Sequence, residues 1–227
     1  MAEDRDGFPI APDGYGQIGF FAFLSVLGWL GFGFTSGSLA GAFGVVGGLA
    51  SILTAFFLNF FRDPARRPLG DGTALVSPAD GKILIAEAGA EEKRFLGETA
   101  TQISIFMSPV DVHVNRAPID GRVESVHYHA GKYFAAFSEK ASLDNEQNAV
   151  VMRAGDGRRL VFIQIAGFLA RRIVCRVEAG DECTRGQRVG MIKLGSRVDI
   201  FVPGAFKLSV KPGDRVRAGE TILGDLE

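Results

Sequence analysis

The chain has 227 residues, 47% of them hydrophobic and 22% charged, with a formal net charge of −1 at pH 7. That balance excludes a strongly basic nucleic-acid binder and an acidic disordered chain. The placement of the charges excludes a purely soluble protein: between Asp13 and Arg62 lie 48 residues without one, holding 10 of the 19 Phe and 11 of the 30 Gly.

Residues 1–13 form an acidic head, in which Glu3, Asp4, Asp6 and Asp13 outweigh Arg5. A signal peptide needs a basic start and one short apolar run. An acidic head before a long run argues against cleavage and export. Residues 14–61 would measure roughly 72 Å as one helix, against about 30 Å of bilayer hydrocarbon. Two passes use that length, with Thr35-Ser36-Gly37-Ser38 as the turn and spans over 18–34 and 39–61. The first is short, so a re-entrant or interfacial helix is the alternative. Gly44 and Gly48 have the spacing of a close helix approach, as do Gly33, Gly37 and Gly41 across the turn. Arg62, Arg66 and Arg67 read as topology signals that put the second flank, and so the rest of the chain, in the cytoplasm. Such arginines also attract anionic lipid.

Pro64 and Pro68 break any continuing helix and mark a linker over 62–72. From residue 73 the pattern is mainly β. Runs rich in Val, Ile and Phe predict strands at 82–86, 102–106, 150–153, 160–165, 173–177, 189–194 and 198–202. Asp156-Gly157 predicts a tight hairpin turn. Residues 133–141 are the one candidate short helix. Val177-Glu178-Ala179-Gly180-Asp181 returns as Val210-Lys211-Pro212-Gly213-Asp214. These turns resemble those of lipoyl- and biotinyl-like barrel-sandwich folds, though turn chemistry alone accounts for them. Cys175 and Cys183 form no CxxC pair and read as two reduced thiols.

Three segments have the residue types for chemistry. Asp111, His113 and Asn115 alternate, so a strand would present them on one face. A solvated edge strand would have the same pattern. Asp80, in Ser77-Pro78-Ala79-Asp80-Gly81-Lys82, is an acid in a turn before a strand. Gly195-Ser196 interrupts an apolar strand pattern. A serine hydroxyl in such a peptide has the option of attacking its own preceding carbonyl, given a base and an acid that orients it. His113 and Asp80 are the candidates for those roles. His127 and His129 alternate on one strand face, but no third metal ligand is spaced nearby, so no metal is expected.

Together these segments resemble the phosphatidylserine decarboxylase family in its short proenzyme form. The resemblance is carried by Phe60-Phe61-Arg62-Asp63-Pro64, Ser77–Lys82, Val112-His113-Val114-Asn115-Arg116, Gly131-Lys132-Tyr133-Phe134, Lys140-Ala141-Ser142 and Asn145-Glu146-Gln147-Asn148. It continues through Gln164-Ile165-Ala166-Gly167, Ala170–Cys175, Gly186–Met191 and Gly195-Ser196-Arg197-Val198-Asp199. It implies a mainly β, barrel-sandwich-like catalytic domain over 73–227 behind an N-terminal transmembrane helical hairpin.

It also implies self-cleavage between Gly195 and Ser196 into a β chain, 1–195, and an α chain, 196–227, which stay associated. Ser196 would become a pyruvoyl group, the cofactor that decarboxylates phosphatidylserine through a Schiff base to phosphatidylethanolamine and CO₂. Asp80, His113 and Ser196 correspond to the self-processing triad. Longer members carry a second histidine where Arg116 stands here, so His113 covers both histidine roles or inherits one. Arg116 is then a candidate for holding the substrate carboxylate or phosphate. Asn115, Lys140 and Asn145 are further pocket candidates. The implied partner is a phospholipid in the cell or inner membrane, with the catalytic domain facing the cytoplasm and no nucleic acid involved. A relative acting on an ether lipid such as archaetidylserine would use the same residues. The alternative from another class is a membrane-tethered barrel-sandwich carrier with a modified lysine, for which Lys193 is the candidate. A zinc hydrolase using His113, His127 and His129 lacks a ligand framework.

Overall fold

The computed structural model describes residues 9–131, 145–167, 172–193 and 196–226, and divides them into two compact units that meet between Ala65 and Arg66. The expected short helix at 133–141 lies outside the described residues.

The first unit is a helical pair. After a 3-10 turn at Pro12–Gly14, α1 runs Tyr15–Phe34 and α2 runs Gly37–Phe60. Only Thr35 and Ser36 separate them. The apolar stretches Pro12–Phe34 and Gly37–Phe60, 23 and 24 residues with mean hydropathy 1.6 and 1.9, are long and apolar enough to cross a membrane. The first is therefore longer than the sequence pattern suggested, because Tyr15, Gly16 and Gln17 join the helix. Phe20, Phe23, Trp29, Leu30, Val45, Leu49 and Ile52 point outward. Helices apolar on their outer faces suit a hydrocarbon surrounding. Ala11 N–H donates to the Phe61 carbonyl and Asp63 N–H to that of Pro9, each at 2.7 Å, clasping the two ends.

The tightest approach is at Gly28 and Gly47; Gly44 also faces α1, where a Cβ would sit 3.0 Å from the Phe32 ring, and Gly48 does not. A Cβ on Gly28 would fall 2.4 Å from the Gly47 nitrogen, whereas one on Gly48, Gly33, Gly37 or Gly41 would meet nothing within 4 Å. Spacing alone does not say which helix face meets the partner. Ser25 Oγ and Ser51 Oγ sit 2.7 Å apart across the pair, and Phe21 stacks on Phe57.

The second unit is built from fourteen strands among the described residues. They are β1 Ala74–Val76, β2 Gly81–Glu92, β3 Glu98–Met107, β4 Val114–Arg116, β5 Gly121–His129, β6 Gln147–Ala154 and β7 Arg159–Ala166. They continue as β8 Ile173–Cys175, β9 Glu182–Cys183, β10 Arg188–Ile192, β11 Ser196–Pro203, β12 Phe206–Leu208, β13 Arg215–Val216 and β14 Ile222–Leu226. Eight form one curled sheet in the order β13-β2-β3-β11-β7-β6-β5-β9. Two three-stranded sheets, β1-β14-β12 and β4-β10-β8, accompany it. The fold is thus mainly β with two apolar N-terminal helices. Val198, Ile200, Val202, Ile103, Ile105, Phe162, Val150 and Met152 fill the core on one face of the large sheet. The other face buries Ile163, Ile165, Val161 and Phe201 beneath Leu96 and Phe95 of the β2–β3 turn.

The repeated turn is one trace of a larger duplication. β1–β2–β3 repeats as β4–β5–β6, and β7–β8–β9–β10 repeats as β11–β12–β13–β14, with matching pairings. Gly180 and Gly213 take φ of 101° and 99°, open to glycine at little cost. Asp181 and Asp214 each accept the N–H three residues before, Glu178 at 2.9 Å and Lys211 at 3.0 Å. The aspartate therefore closes its turn backwards, not onto the backbone two residues on. Cys183 is buried, and burial, then the charges of Asp181 and Glu182, push its thiol up to about 11. At neutral pH it stays protonated and poorly nucleophilic.

The helix contact generates a test. With cysteines at 25 and 51 in a background lacking Cys175 and Cys183, oxidation should link the helices efficiently. Adding Gly28→Leu should cut that yield severalfold, because the side chain has no space at Gly47, and adding Gly48→Leu should not. Equal yields in both backgrounds would contradict the Gly28–Gly47 contact.

Candidate active site

Ser196 is the first residue of β11 and is fully buried. Its backbone lies between Met107 of β3 and Ala166 of β7. Alternation puts its side chain on the same face as Val198 and Ile200, at the polar end of that core. Ser196 Oγ donates to Met107 Sδ at 3.3 Å. On the other side of that sulfur stands Asn115 Nδ2, at 3.8 Å. β4 brings Asn115 there because it pairs with β10, Met191 against Val114.

Asn115 is one member of a buried amide chain. Asn148 Nδ2 donates to Gln164 Oε1 at 3.0 Å, and Gln164 Nε2 donates to Asn115 Oδ1 at 2.9 Å. Gly190 leaves room for this chain, since a Cβ there would sit 3.0 Å from Gln164 Nε2 and 2.2 Å from the Val174 carbonyl. Asn145 Nδ2 donates to the carbonyl of Ala166, the residue facing Ser196, at 2.7 Å. Ser196, Asn115 and Asn145 thus converge on one buried region. Gln164, Asn148 and Met107, which sequence reasoning quoted or passed over without a role, complete it. The one available signal was Gln164, a single amide inside the otherwise apolar Leu160–Ala166 strand.

His113 precedes β4 and is fully buried. Its Nδ1 lies 2.9 Å from the Asp111 carbonyl oxygen, which can only accept. That partner assigns the proton to Nδ1 and makes Nε2 the basic position of the neutral ring. The His113 carbonyl accepts Ile192 N–H at 3.4 Å, which ties it to the strand leading toward residue 196. Asp80 lies in the turn before β2. Its Oδ1 accepts Ala218 N–H at 2.7 Å, and its Oδ2 pairs with Arg66 Nη2 at 2.9 Å. Arg116 N–H donates to the Pro78 carbonyl, which fixes the Asp80 turn beside β4. Arg66 also holds Glu220 at 2.8 Å and is itself largely buried. It is a largely buried clamp on two carboxylates.

Arg116 does not join the amide chain. Its neighbouring strand position turns it away from Asn115, and its buried guanidinium donates from Nη1 to the Gly186 carbonyl at 2.8 Å. It braces the Gly186 turn. Lys140 and Gly195 lie outside the described residues. Lys193 follows β10 and its N–H donates to the Arg172 carbonyl at 3.2 Å, so it is not at the tip of a hairpin as a carrier lysine requires. His127 and His129 line a cavity of about 470 Å³ with Arg94, Phe95, Tyr128, Gln147 and Ala149. Among the described residues no three His, Cys, Asp or Glu side chains gather as a metal site.

The comparisons with known proteins bear on this arrangement as a whole. The family model described as phosphatidylserine decarboxylase matches residues 53–224. The chain belongs to the phosphatidylserine decarboxylase family. It is 44% identical over 218 residues to the phosphatidylserine decarboxylase proenzyme of Desulfotalea psychrophila, covering 96% of this chain and 97% of that protein. It is 49% identical over 170 residues to the proenzyme of Chlorobaculum tepidum, covering 74% and 77%. Against that of Ralstonia pickettii it is 45% identical over 176 residues, covering 78% and 81%. Membership makes the chain a carboxy-lyase. The match to the family model includes β1 through β11 and the Ser196 region.

The amide chain can be tested as a unit. Gln164→Leu leaves Asn115 Oδ1 and Asn148 Nδ2 buried without their partner, at about 1–3 kcal/mol each. For a chain of this size that should lower the thermal midpoint by roughly 4 °C or more. A midpoint within 1 °C of the wild type would show that the chain carries no stability.

Proposed function

We propose that this chain is a proenzyme that cuts itself between Gly195 and Ser196 and then decarboxylates phosphatidylserine to phosphatidylethanolamine and CO₂ at a membrane. The observation that carries the reading is the family match together with the position of Ser196, a buried hydroxyl at the start of a central strand. The name shared by the relatives, proenzyme, supports processing.

In this reading Ser196 Oγ attacks the Gly195 carbonyl, the peptide nitrogen leaves as an amine, and an ester results. Removal of the Cα proton of residue 196 expels the Gly195 carboxylate and leaves dehydroalanine. Water then replaces the nitrogen, releasing ammonia and leaving a pyruvoyl cap. His113 takes the hydroxyl proton at Nε2, the position that its Nδ1 bond to Asp111 leaves basic. Asp80, held in place by Arg66 and Ala218 N–H, is the acid that this reading assigns to orient His113. The residues suit a pyruvoyl group, because Ser196 is out of water and shares the Met107 sulfur with Asn115 Nδ2. A pyruvoyl supplies an electrophilic ketone that takes a primary amine and accepts the electron pair left by departing CO₂. Asn115 and Asn145 orient the groups around it.

The two chains would be of 195 and 32 residues. The smaller would carry β11–β14 and keep its ladders to β3, β7, β2 and β1. The apolar helical pair supports membrane attachment, and the arginines after the second helix would keep the catalytic unit on the cytoplasmic side.

A denaturing gel of purified protein tests the processing step. The wild type should separate into two chains. Ser196→Ala should remain one chain of 24.3 kDa and form no phosphatidylethanolamine. His113→Gln should slow cleavage by roughly 10²–10⁴-fold. Cleavage of the alanine variant at the same bond would remove Ser196 as nucleophile.

A further inference from the structure

Glu146 is a buried carboxylate beside the proposed reaction centre, and none of the roles above uses it. It is 5% exposed. Its Oε1 accepts the Tyr128 hydroxyl at 3.1 Å and Ile173 N–H at 3.4 Å. Its Oε2 is buried and has no hydrogen-bond partner among the described residues. An unsatisfied buried charge of this kind costs several times what a paired one does, and a native protein retains it for a reason.

The location points to that reason. The Glu146 carbonyl accepts Ala166 N–H at 2.9 Å, and Ala166 is the register partner of Ser196. Residues 166 and 196 therefore face each other on β7 and β11, and residue 146, just before β6, lies abreast of them, two spacings or about 10 Å across. Alternation puts the Glu146 side chain on the face that carries Asn148, Gln164 and Ser196. Ile173, which holds Oε1, is the partner of Ile192, shortly before the scissile junction.

A carboxylate only accepts hydrogen bonds, so its missing partner is a donor, and a cationic one by preference. Of the groups on a serine phospholipid headgroup, the phosphate and carboxylate are anionic. Only the primary ammonium is a cation. We propose that Glu146 Oε2 is the recognition point for that ammonium. Its charge draws the amine toward residue 196 and repels the substrate's own carboxylate and phosphate, so the headgroup enters amine first. This rests on the decarboxylase reading and deepens it: it names the residue that selects amine-bearing headgroups.

The experiment uses the full-length protein in detergent micelles with phosphatidylserine. The wild type is first run on a denaturing gel; an uncleaved wild type sinks the decarboxylase reading, and the inference with it. Given cleavage, Glu146→Gln keeps shape and removes charge. It should be cleaved to the same extent, with KM raised roughly tenfold to a hundredfold, as loss of a charged hydrogen bond predicts, and kcat nearly unchanged. A cleaved variant with KM within twofold of the wild type overturns the inference while leaving the decarboxylase reading intact. A second measurement on the wild type covers a variant that fails to fold. A phospholipid with an N,N-dimethylethanolamine headgroup carries an ammonium N–H but cannot condense with a ketone to an imine. It should compete with phosphatidylserine at least tenfold more strongly than phosphatidylglycerol, whose headgroup has no amine. Equal competition by the two lipids overturns the inference as well.

Discussion

The site depends on one main-chain arrangement, the insertion of β11 between β3 and β7. Its ladder runs from Ser196–Met107 to Pro203–Ala100 on one side and from Ser196–Ala166 to Phe201–Val161 on the other. A strand bonded on both edges cannot shift register by one residue without exchanging its two faces. Here the exchange would put Arg197 and Asp199 into the Val198–Ile200 core. Their own face satisfies them: Arg197 Nε meets Asp199 Oδ1 at 2.5 Å and Arg197 Nη2 meets Ser104 Oγ at 2.8 Å. A buried ion pair of this kind adds little net stability but penalises misplacement heavily. The register fixes Ser196 at the strand's first position, buried, beside Met107 and the amide chain. It also explains how a chain cut before residue 196 would hold together, since the ladders lie on the C-terminal side of the cut.

The duplication explains which features are scaffold and which are site. Asp80 and Asp120 occupy equivalent turns, Pro78-Ala79-Asp80-Gly81 and Pro118-Ile119-Asp120-Gly121. Each caps a backbone N–H of the partner turn, Ala218 at 2.7 Å and Arg185 at 2.8 Å. That part of Asp80 is architecture. What distinguishes Asp80 is Arg66, which approaches its second oxygen. Likewise Arg116 N–H donates to the Pro78 carbonyl as Val76 N–H donates to that of Pro118. The candidate site residues Asp80 and Asn115 thus sit on a symmetric frame, and Arg66 marks one half of it.

Much of this was legible in the residues. The charge-free segment gave the two helices, and β-branched runs gave β2, β3, β6, β7, β8, β10 and β11, although β2 and β3 extend well past the apolar runs that marked them. Gly195-Ser196, His113 and Asp80 stood out as types and in company. β1 was not predicted, because three residues carry no period, whereas β9, β12 and β13 were marked only by the echo of the Gly-Asp turns that they flank. The Gly28–Gly47 contact was missed, and Gly48 assigned to the helix face beside Gly44, because glycine spacing recurs all around both helices. Arg116 braces the Gly186 turn through one nitrogen, a contact that its sequence context did not signal. Glu146 and Gln164 acquire meaning only from strand register, which brings residues 146, 164 and 196 together from three separate segments.

The most direct test of the central claim is the intact mass of the C-terminal chain released under denaturing conditions from purified wild-type protein. The account predicts a chain of residues 196–227, lighter by one ammonia than the same peptide beginning with serine. A full-length chain of unaltered mass, or a C-terminal fragment that still begins with serine, would contradict it.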